Sequence, residues 1–180
     1  MAESLETMEA KRRLGVSDKK DDRIDSFKVN HLKLNGGIYV SRKDKTGSGD
    51  VITTFDIRVC RPYASKPMDS AAVHTIEHIG ATYLRTKSEF KDNVIYFGPM
   101  GCLTGFYLIM KGDLTPKDIW DEVIRMFREV YYSTAIPGTS KIECGNYEFH
   151  NLKKAQDIAD LYLRDTLYEG PKPENTEYQN

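Results

Sequence analysis

The feature that most constrains this chain is the pentapeptide His-Thr-Ile-Glu-His at positions 74–78. It lies in a mainly apolar run, residues 73–84, and the preceding Lys-Pro-Met-Asp-Ser predicts a helix that begins near Ser70. Residues four positions apart on a helix lie on the same face, so both imidazoles can reach one metal ion. Glu77 lies beside them, where a carboxylate can transfer protons for a group that the metal polarises. The pattern therefore predicts a metal site on this helix.

A plainer interpretation is a helix with two partly exposed histidines and a surface glutamate. For an isolated His-x-x-x-His pattern that interpretation would be preferred. Here the chain has only four histidines, and two of them share a face with Glu77. The helix does not need them for packing, because its apolar stripe is already supplied by Val73, Ile76, Gly80 and Leu84. Metal binding is therefore favoured.

The composition limits the class of protein. A chain of 180 residues is long enough for one domain with a substantial core, and 39% hydrophobic with 29% charged residues is ordinary for a globular protein. The net charge of −1 does not favour a nucleic-acid surface. No stretch approaches the roughly 20 apolar residues that span a membrane, and the acidic N-terminus does not resemble a secretory signal. Three widely spaced cysteines favour reduced thiols, so a cytoplasmic location is expected.

The chain divides into three parts. Residues 1–22 are rich in charged residues and poor in large apolar ones, which predicts a flexible N-terminal extension. Residues 23–170 are expected to form a single domain, and residues 171–180 a tail.

The order of elements predicts an α+β fold. Apolar patterns predict strands at residues 29–40, interrupted by Asn-Gly-Gly, and at 51–60, 93–97 and 106–110. Helices are predicted to begin at Thr115-Pro116 and near Asn151. Because strands and helices do not alternate strictly, we expect a two-layer domain in which helices pack on one face of an antiparallel sheet.

A metal ion bound by two histidines needs at least one more ligand. The soft candidates are Cys60, Cys102, Cys144, His31 and His150. Cys144 lies in a connection, where its side chain can be aimed at a site, and a His₂Cys set with one open position is typical of catalytic metals. Taken alone, however, Cys144 is more often a plain buried thiol, and His150 is as readily a cap or packing residue.

Two other residues have chemical potential. Cys102 lies in a glycine-rich bend, which lets the backbone approach a ligand, although an isolated cysteine is more often a small core residue. A metal ion nearby would lower its pKa and favour the thiolate. Arg58 shares a strand face with Asp56, either as a surface ion pair of little energy or as a clamp for a substrate anion or hydroxyl. Cys60 is interpreted as structural.

Five segments, in this order, resemble the LuxS family of S-ribosylhomocysteine lyases. They are Ser-Phe-Lys-Val-Asn-His (26–31), Phe-Asp-Ile-Arg-Val-Cys (55–60), His-Thr-Ile-Glu-His (74–78), Gly-Pro-Met-Gly-Cys-Leu-Thr-Gly-Phe-Tyr (98–107) and the Ile-Pro…Glu-Cys-Gly segment (136–145). The resemblance covers about residues 24–168. Departures from the family pattern are Asn30 in place of Asp, and Tyr96 and Gly98 where many members have Asp and Ser.

The resemblance implies a LuxS-like, metallohydrolase-like catalytic domain that forms a homodimer with two active sites at the interface. It implies that His74, His78 and Cys144 bind one divalent ion, Fe²⁺, which Zn²⁺ or Co²⁺ can replace. Glu77 and Cys102 would act as general base and acid. The substrate site would be lined by Ser26, Phe27, His31 and Arg58, contributed by the partner subunit.

The implied substrate is S-ribosylhomocysteine, an intermediate of methionine recycling. Migration of its carbonyl followed by β-elimination would give homocysteine and 4,5-dihydroxy-2,3-pentanedione, the autoinducer-2 precursor of quorum sensing. No nucleic-acid or membrane partner is implied.

Two alternatives compete with the lyase. His-x-x-Glu-His also occurs in a class of zinc metallopeptidases, but that class usually has a distant glutamate as third ligand and a much longer chain. A non-catalytic metal-binding domain is the other alternative. Structural zinc is normally held by four protein ligands, whereas the sequence favours three with a glutamate beside them.

Overall fold

The computed structural model describes residues 23–169, except the side chain of Asp25, together with residue 178. The elements in chain order are α1 (Asp25–Lys28), β1 (Gly37–Lys45), β2 (Val51–Arg58), α2 (Ser70–Thr86), β3 (Val94–Pro99), β4 (Gly105–Lys111), α3 (Pro116–Tyr132), α4 (Leu152–Tyr162) and a π-helical turn (Leu163–Tyr168). The extension predicted for residues 1–22 lies outside the described residues, as does the tail apart from residue 178.

The four strands form one antiparallel sheet in the order β1-β2-β4-β3. Side chains alternate between its two faces, and the inner face carries buried apolar residues such as Phe55, which pairs with Val40 on one side and Leu108 on the other. Helices α2 and α3 pack on this inner face, and α4 packs against both helices and completes the core. The predicted α+β architecture is confirmed.

Helix α2 begins at Ser70, as predicted, because the Asp69 carboxylate accepts a hydrogen bond from the Ala72 N–H at 3.1 Å. One side of the helix lies very close to the sheet at Gly80. A methyl group added there would stand 2.7 Å from a ring carbon of Phe97. The close approach buries the side of the helix that contains Gly80 and leaves His74 and His78 half-buried on another face.

Helices α3 and α4 also begin where the sequence predicts. Thr115 and Asp118 form a capping box in front of Pro116, and Asn151 caps α4 by accepting from the Lys154 N–H at 3.0 Å. The fully buried Tyr162 at the end of α4 donates to the Gly37 carbonyl at 2.8 Å, which ties the helix to the first strand. No helix in the described part of the chain is both long and apolar enough to cross a bilayer.

Two parts of the chain differ from the sequence prediction. Residues 29–34 form turns rather than a strand, because the backbone and side-chain oxygens of Asn30 accept hydrogen bonds from Lys33 and Leu32, at 3.0 and 3.1 Å. The π-helical turn at 163–168 was not predicted either, and it buries Leu163 and Leu167 against the core.

Candidate metal centre and the neighbouring pocket

The two histidines of α2 are held by backbone carbonyls from the loop that precedes α4. Nδ1 of His74 lies 2.8 Å from the Phe149 carbonyl, and Nδ1 of His78 lies 2.9 Å from the Pro137 carbonyl. A carbonyl only accepts hydrogen bonds, so Nδ1 of each ring carries a proton, and Nε2 is the nitrogen left to bind a metal ion. This is the tautomer in which an imidazole binds a metal, with its other nitrogen fixed by a hydrogen bond.

Cys144 is brought to the same place by the loop between α3 and α4. Its Sγ lies 3.5 Å from Nε2 of His74 and accepts a hydrogen bond from the backbone N–H of Asn146 at 3.4 Å. The turn is fixed because the Cys144 N–H donates to the Ser140 carbonyl at 3.0 Å. Of the soft ligand candidates, the structure therefore places Cys144, and not Cys60, Cys102 or His31, beside the histidine pair.

His150 lies beside these residues as well, although the sequence analysis did not select it as a ligand. Its ring stacks on His74 with centroids 4.0 Å apart, and one ligand atom from each of His74, His78, Cys144 and His150 lies within 4.8 Å of the others. We call these four residues the metal cluster. A histidine six positions after the candidate cysteine, directly before a helix cap, is the signal that could have pointed to it.

The tautomer of His150 follows from its neighbour Thr75. The single hydroxyl proton of Thr75 is donated to the Ala71 carbonyl at 2.9 Å, so Nδ1 of His150, 3.3 Å from this oxygen, must be the donor. Its Nε2 is buried with no hydrogen-bond partner among the described residues. Burial, and then the neighbouring His74 and His78, lower the pKa of His150 and keep it neutral. One sulfur and three imidazole nitrogens close together form a donor set that fits a divalent transition metal.

Glu77 shares a cavity of about 380 Å³ with His74 and His78. The opposite wall is the Pro137-Gly138 turn. Gly138 has a φ of +68°, and a methyl group there would lie 3.3 Å from Nδ1 of His78, so both backbone conformation and space require glycine. The proposed base therefore faces the same open space as the histidine pair.

A second pocket, of about 270 Å³, lies at the end of the sheet and contains Cys102. We call it the Cys102 pocket; its lining includes Asp56, Arg58, Tyr107 and Met100 from the sheet region, Ser26, Phe27, Val29 and His31 from the N-terminal segment, and Tyr178. The four residues predicted to bind substrate, Ser26, Phe27, His31 and Arg58, are thus brought together around Cys102. Their roles remain predictions.

A buried ion pair organises the Cys102 pocket. The Arg58 Nη2 donates to Asp56 Oδ2 at 2.6 Å, with side chains only 5% and 2% exposed, so a surface ion pair is the wrong interpretation. The Arg58 Nη1 donates to Thr104 Oγ1 at 2.6 Å and lies 3.9 Å from the Cys102 Sγ. Partial burial raises the pKa of Cys102, but hydrogen bonds with Thr104 and the Arg58 charge outweigh it, and the pKa falls below the ordinary thiol value.

The cavity lined by His74, Glu77 and His78, which we call the metal cavity, shares no lining residue with the Cys102 pocket. Glu77 therefore faces one opening of the protomer and Cys102 another, although both were predicted to act on one substrate. Cys60 belongs to neither, and burial raises the pKa of its thiol. Its interpretation as structural is compatible with this position.

Comparison with known proteins gives consistent results. The S-ribosylhomocysteinase (LuxS) family model matches residues 24–172. Three curated relatives are named S-ribosylhomocysteine lyase. One, from Desulfotalea psychrophila, is 50% identical over 147 residues, which is 81% of this chain and 92% of the relative. Another, from Finegoldia magna, is 52% identical over 143 residues, 79% of this chain and 90% of the relative. The third, from Borreliella burgdorferi, is 48% identical over 157 residues, 87% of this chain and 98% of the relative.

These matches leave no support for the metallopeptidase or for a non-catalytic metal-binding domain, because they extend over nearly the whole described chain and all name one lyase. The family resemblance inferred from five sequence segments is confirmed. The chain belongs to the LuxS family of S-ribosylhomocysteinases.

Proposed function

We propose that this protein is an S-ribosylhomocysteine lyase, which cleaves S-ribosylhomocysteine to homocysteine and 4,5-dihydroxy-2,3-pentanedione. The family match and the names of the relatives support the reaction class. The structural observation that carries the proposal is the metal cluster with Glu77 in the same cavity, since a bound metal ion and an adjacent base are what removal of a proton beside a carbonyl requires.

The metal ligands are proposed to be His74, His78 and Cys144. A mixed nitrogen and sulfur set suits Fe²⁺, the proposed native ion, and also Zn²⁺ or Co²⁺. When bound, the ion would act as a Lewis acid on the sugar carbonyl. The carbonyls of Phe149 and Pro137 hold the two imidazoles in the required tautomer before any ion arrives.

Proton transfers are assigned to two side chains. The Glu77 carboxylate accepts the proton from the carbon next to the carbonyl and returns it one carbon away, so that the carbonyl moves from C1 to C2 and then to C3. Cys102, with its lowered pKa, is a second proton carrier that can exist as the thiolate near neutral pH. With the carbonyl at C3, removal of the C4 proton forms the C4–C5 double bond and expels the thiolate from C5; the thiolate takes up a proton to give homocysteine, and the enol left behind tautomerises to the pentanedione.

Substrate binding is assigned to the Cys102 pocket. Arg58 supplies a cation, and Ser26 and His31 supply polar groups, while Phe27 supplies an apolar surface. Arg58 is positioned by Asp56 and Thr104, so its guanidinium is fixed before substrate arrives.

We further propose that the active protein is a homodimer. The metal cavity and the Cys102 pocket open separately in one protomer, so Glu77 and Cys102 can share a substrate if a second copy brings its Cys102 pocket to this metal cluster. A two-fold axis would then generate two equal sites. Exposed apolar side chains on the edge strand β3, Ile95 and Tyr96, are available for such contacts.

We also propose a cellular location, a metabolic role and domain bounds for the protein. Three free cysteines, one of them a proposed metal ligand, suit a reducing cytoplasm. Release of homocysteine would place the enzyme in methionine recycling, and the pentanedione product would supply autoinducer-2 for quorum sensing. The catalytic domain is proposed to comprise residues 23–170, with residues 1–22 as an N-terminal extension.

The experiment that tests the lyase assignment is thiol release. The protein is purified anaerobically with Fe²⁺ or Co²⁺ and mixed with S-ribosylhomocysteine, and free homocysteine is titrated with a thiol reagent. We expect release by the wild type and none above background by Glu77→Ala at equal metal content. Absence of release from folded, metal-loaded wild type would reject the proposed substrate, and size-exclusion chromatography with light scattering tests the dimer independently.

A further inference from the structure

The Cys102 pocket contains one residue from outside the family match. Tyr178 is the third-last residue of the sequence, whereas the match ends at residue 172. It lines the pocket together with Cys102 and Arg58, and the sequence reasoning assigned the tail no role.

Two contacts place Tyr178 there. Its ring stacks on Tyr39 of β1, with centroids 5.1 Å apart and planes inclined by 11°. Its hydroxyl donates to Asp56 Oδ2 at 3.0 Å, the same oxygen that accepts from Arg58. Burial, and then the Asp56 charge, raise the pKa of Tyr178, so the phenol keeps its proton and remains a donor.

The phenol borders the pocket rather than filling it. With Tyr178 in place, a cavity of about 270 Å³ remains, bounded by Cys102, His31 and Phe27. Tyr178 covers the Asp56 carboxylate, which is only 1% exposed, and so keeps water from the ion pair that positions Arg58 beside Cys102. A wall residue of this kind improves binding by narrowing the pocket and by holding the charged groups in a fixed, desolvated arrangement.

We propose that the C-terminal tail supplies Tyr178 as an additional wall of the substrate pocket, where it determines how tightly and how selectively the thioether substrate binds. This inference rests on the proposed lyase function. Tyr178 is a positioning and specificity residue: it acts on substrate binding through the pocket wall and through Asp56, and it is not assigned a proton transfer.

The test compares Tyr178→Phe, which removes only the hydroxyl bond to Asp56, with Tyr178→Ala, which also removes the aromatic wall. Tyr132→Ala is the matched control, because Tyr132 is 68% exposed and lines neither pocket. Steady-state thiol release from S-ribosylhomocysteine is measured with the full-length, metal-loaded protein. We expect KM to rise about two- to threefold for Tyr178→Phe and about tenfold for Tyr178→Ala, with a smaller change in kcat.

A second readout does not depend on the reaction. The rate at which iodoacetamide alkylates Cys102, followed by peptide mass spectrometry, should rise about threefold or more in Tyr178→Ala and stay at the wild-type rate in Tyr132→Ala, because loss of the Tyr178 ring widens the pocket through which the reagent reaches the thiol. If wild type releases no thiol, the lyase proposal fails, and the alkylation rates still decide whether the tail lies on the pocket.

The outcomes that overturn the inference are specific. A KM for Tyr178→Ala equal to that of Tyr132→Ala would show that the tail is not part of the pocket. A KM for Tyr178→Ala below the wild-type KM would show that Tyr178 obstructs the substrate instead of binding it. Equal alkylation of Cys102 in all variants would remove the structural basis of the proposal.

Discussion

The metal cluster and the Cys102 pocket use opposite means to hold reactive side chains. In the metal cluster, the imidazoles of His74 and His78 are fixed by backbone carbonyls, which accept from Nδ1 and leave Nε2 to bind a metal ion. In the Cys102 pocket, a buried Arg58–Asp56 ion pair fixes the guanidinium, which in turn acts on the thiol. The first arrangement prepares ligands for a cation; the second supplies charge itself. The difference explains why the two cysteines, Cys144 and Cys102, are expected to have different roles.

The largest effects are expected when each of the two cysteines is replaced by alanine in a separate variant. Cys144→Ala should lose its metal and with it activity, whereas Cys102→Ala should keep full metal content and lose about 10²- to 10⁴-fold in turnover, the usual contribution of a general acid or base. Metal content by inductively coupled plasma mass spectrometry and thiol release give both numbers. Normal activity of metal-loaded Cys102→Ala would refute the catalytic assignment, and Cys60→Ala is the control for loss of a thiol outside both sites.

The second largest effect is expected at the ion pair. Arg58→Met leaves the buried Asp56 carboxylate without its cation, which should cost about 3–5 kcal/mol in the free energy of unfolding. Urea denaturation measures this cost. The exposed Arg42–Asp44 pair, 62% and 45% exposed, is the control, and Arg42→Met should change stability by about 1 kcal/mol or less.

The same variant tests the electrostatics of Cys102. The Arg58 charge favours the thiolate, so the pKa of Cys102 is lowered in the wild type and should rise when the charge is removed. The pH midpoint for alkylation of Cys102 should therefore lie below that of an ordinary thiol in the wild type and shift upward in Arg58→Met. A midpoint that does not move would show that Thr104 alone is responsible, which Thr104→Val can then examine in a fold that keeps its ion pair.

A smaller effect is expected behind the metal cluster. The Thr75 hydroxyl accepts from the Asn151 N–H at 2.9 Å and from His150, so it joins α2 to the loop that carries two cluster residues. Thr75→Val keeps the volume but removes these bonds, and metal affinity should fall about 10- to 100-fold. Competition with a chromogenic chelator measures the affinity. Thr86→Val is the control, since Thr86 makes the same type of bond to α2 at an exposed position.

The smallest effect concerns a departure from the family pattern. The Tyr96 hydroxyl occupies the space in front of Gly98, where a Cβ would lie only 1.9 Å away. Gly98→Ser must therefore displace Tyr96, whose side chain is 43% exposed and can move, so the cost should be about 1 kcal/mol or less. When Gly98→Ser is combined with Tyr96→Asp, the serine should lower the free energy of unfolding by less still. A double-mutant cycle in urea measures the coupling, and additive effects would show that the two departures are independent.

Much of the fold could be predicted from local pattern. The starts of α2, α3 and α4 follow from the cap residue that directly precedes each helix in the sequence. The strand positions follow from the alternation of apolar side chains. Prediction failed at residues 29–34, where turn hydrogen bonds to Asn30 prevail over apolar content, and at the π-helical turn, whose shape depends on packing of Leu163 and Leu167.

From sequence alone, the pair His74 and His78 with Glu77 was determined, because helical geometry places residues four apart on one face whatever the rest of the fold. Cys144 was a candidate from the sequence, and the family resemblance implied its role, but only the tertiary structure shows it beside the histidine pair, adds His150 and places Tyr178 in the Cys102 pocket. These residues lie more than sixty positions along the chain from His74, His78 and Cys102, and such distant contacts depend on how the loop before α4 and the Tyr178 side chain pack in the folded protein. Local rules determine which side chains share an element; only the folded chain determines which elements share a site.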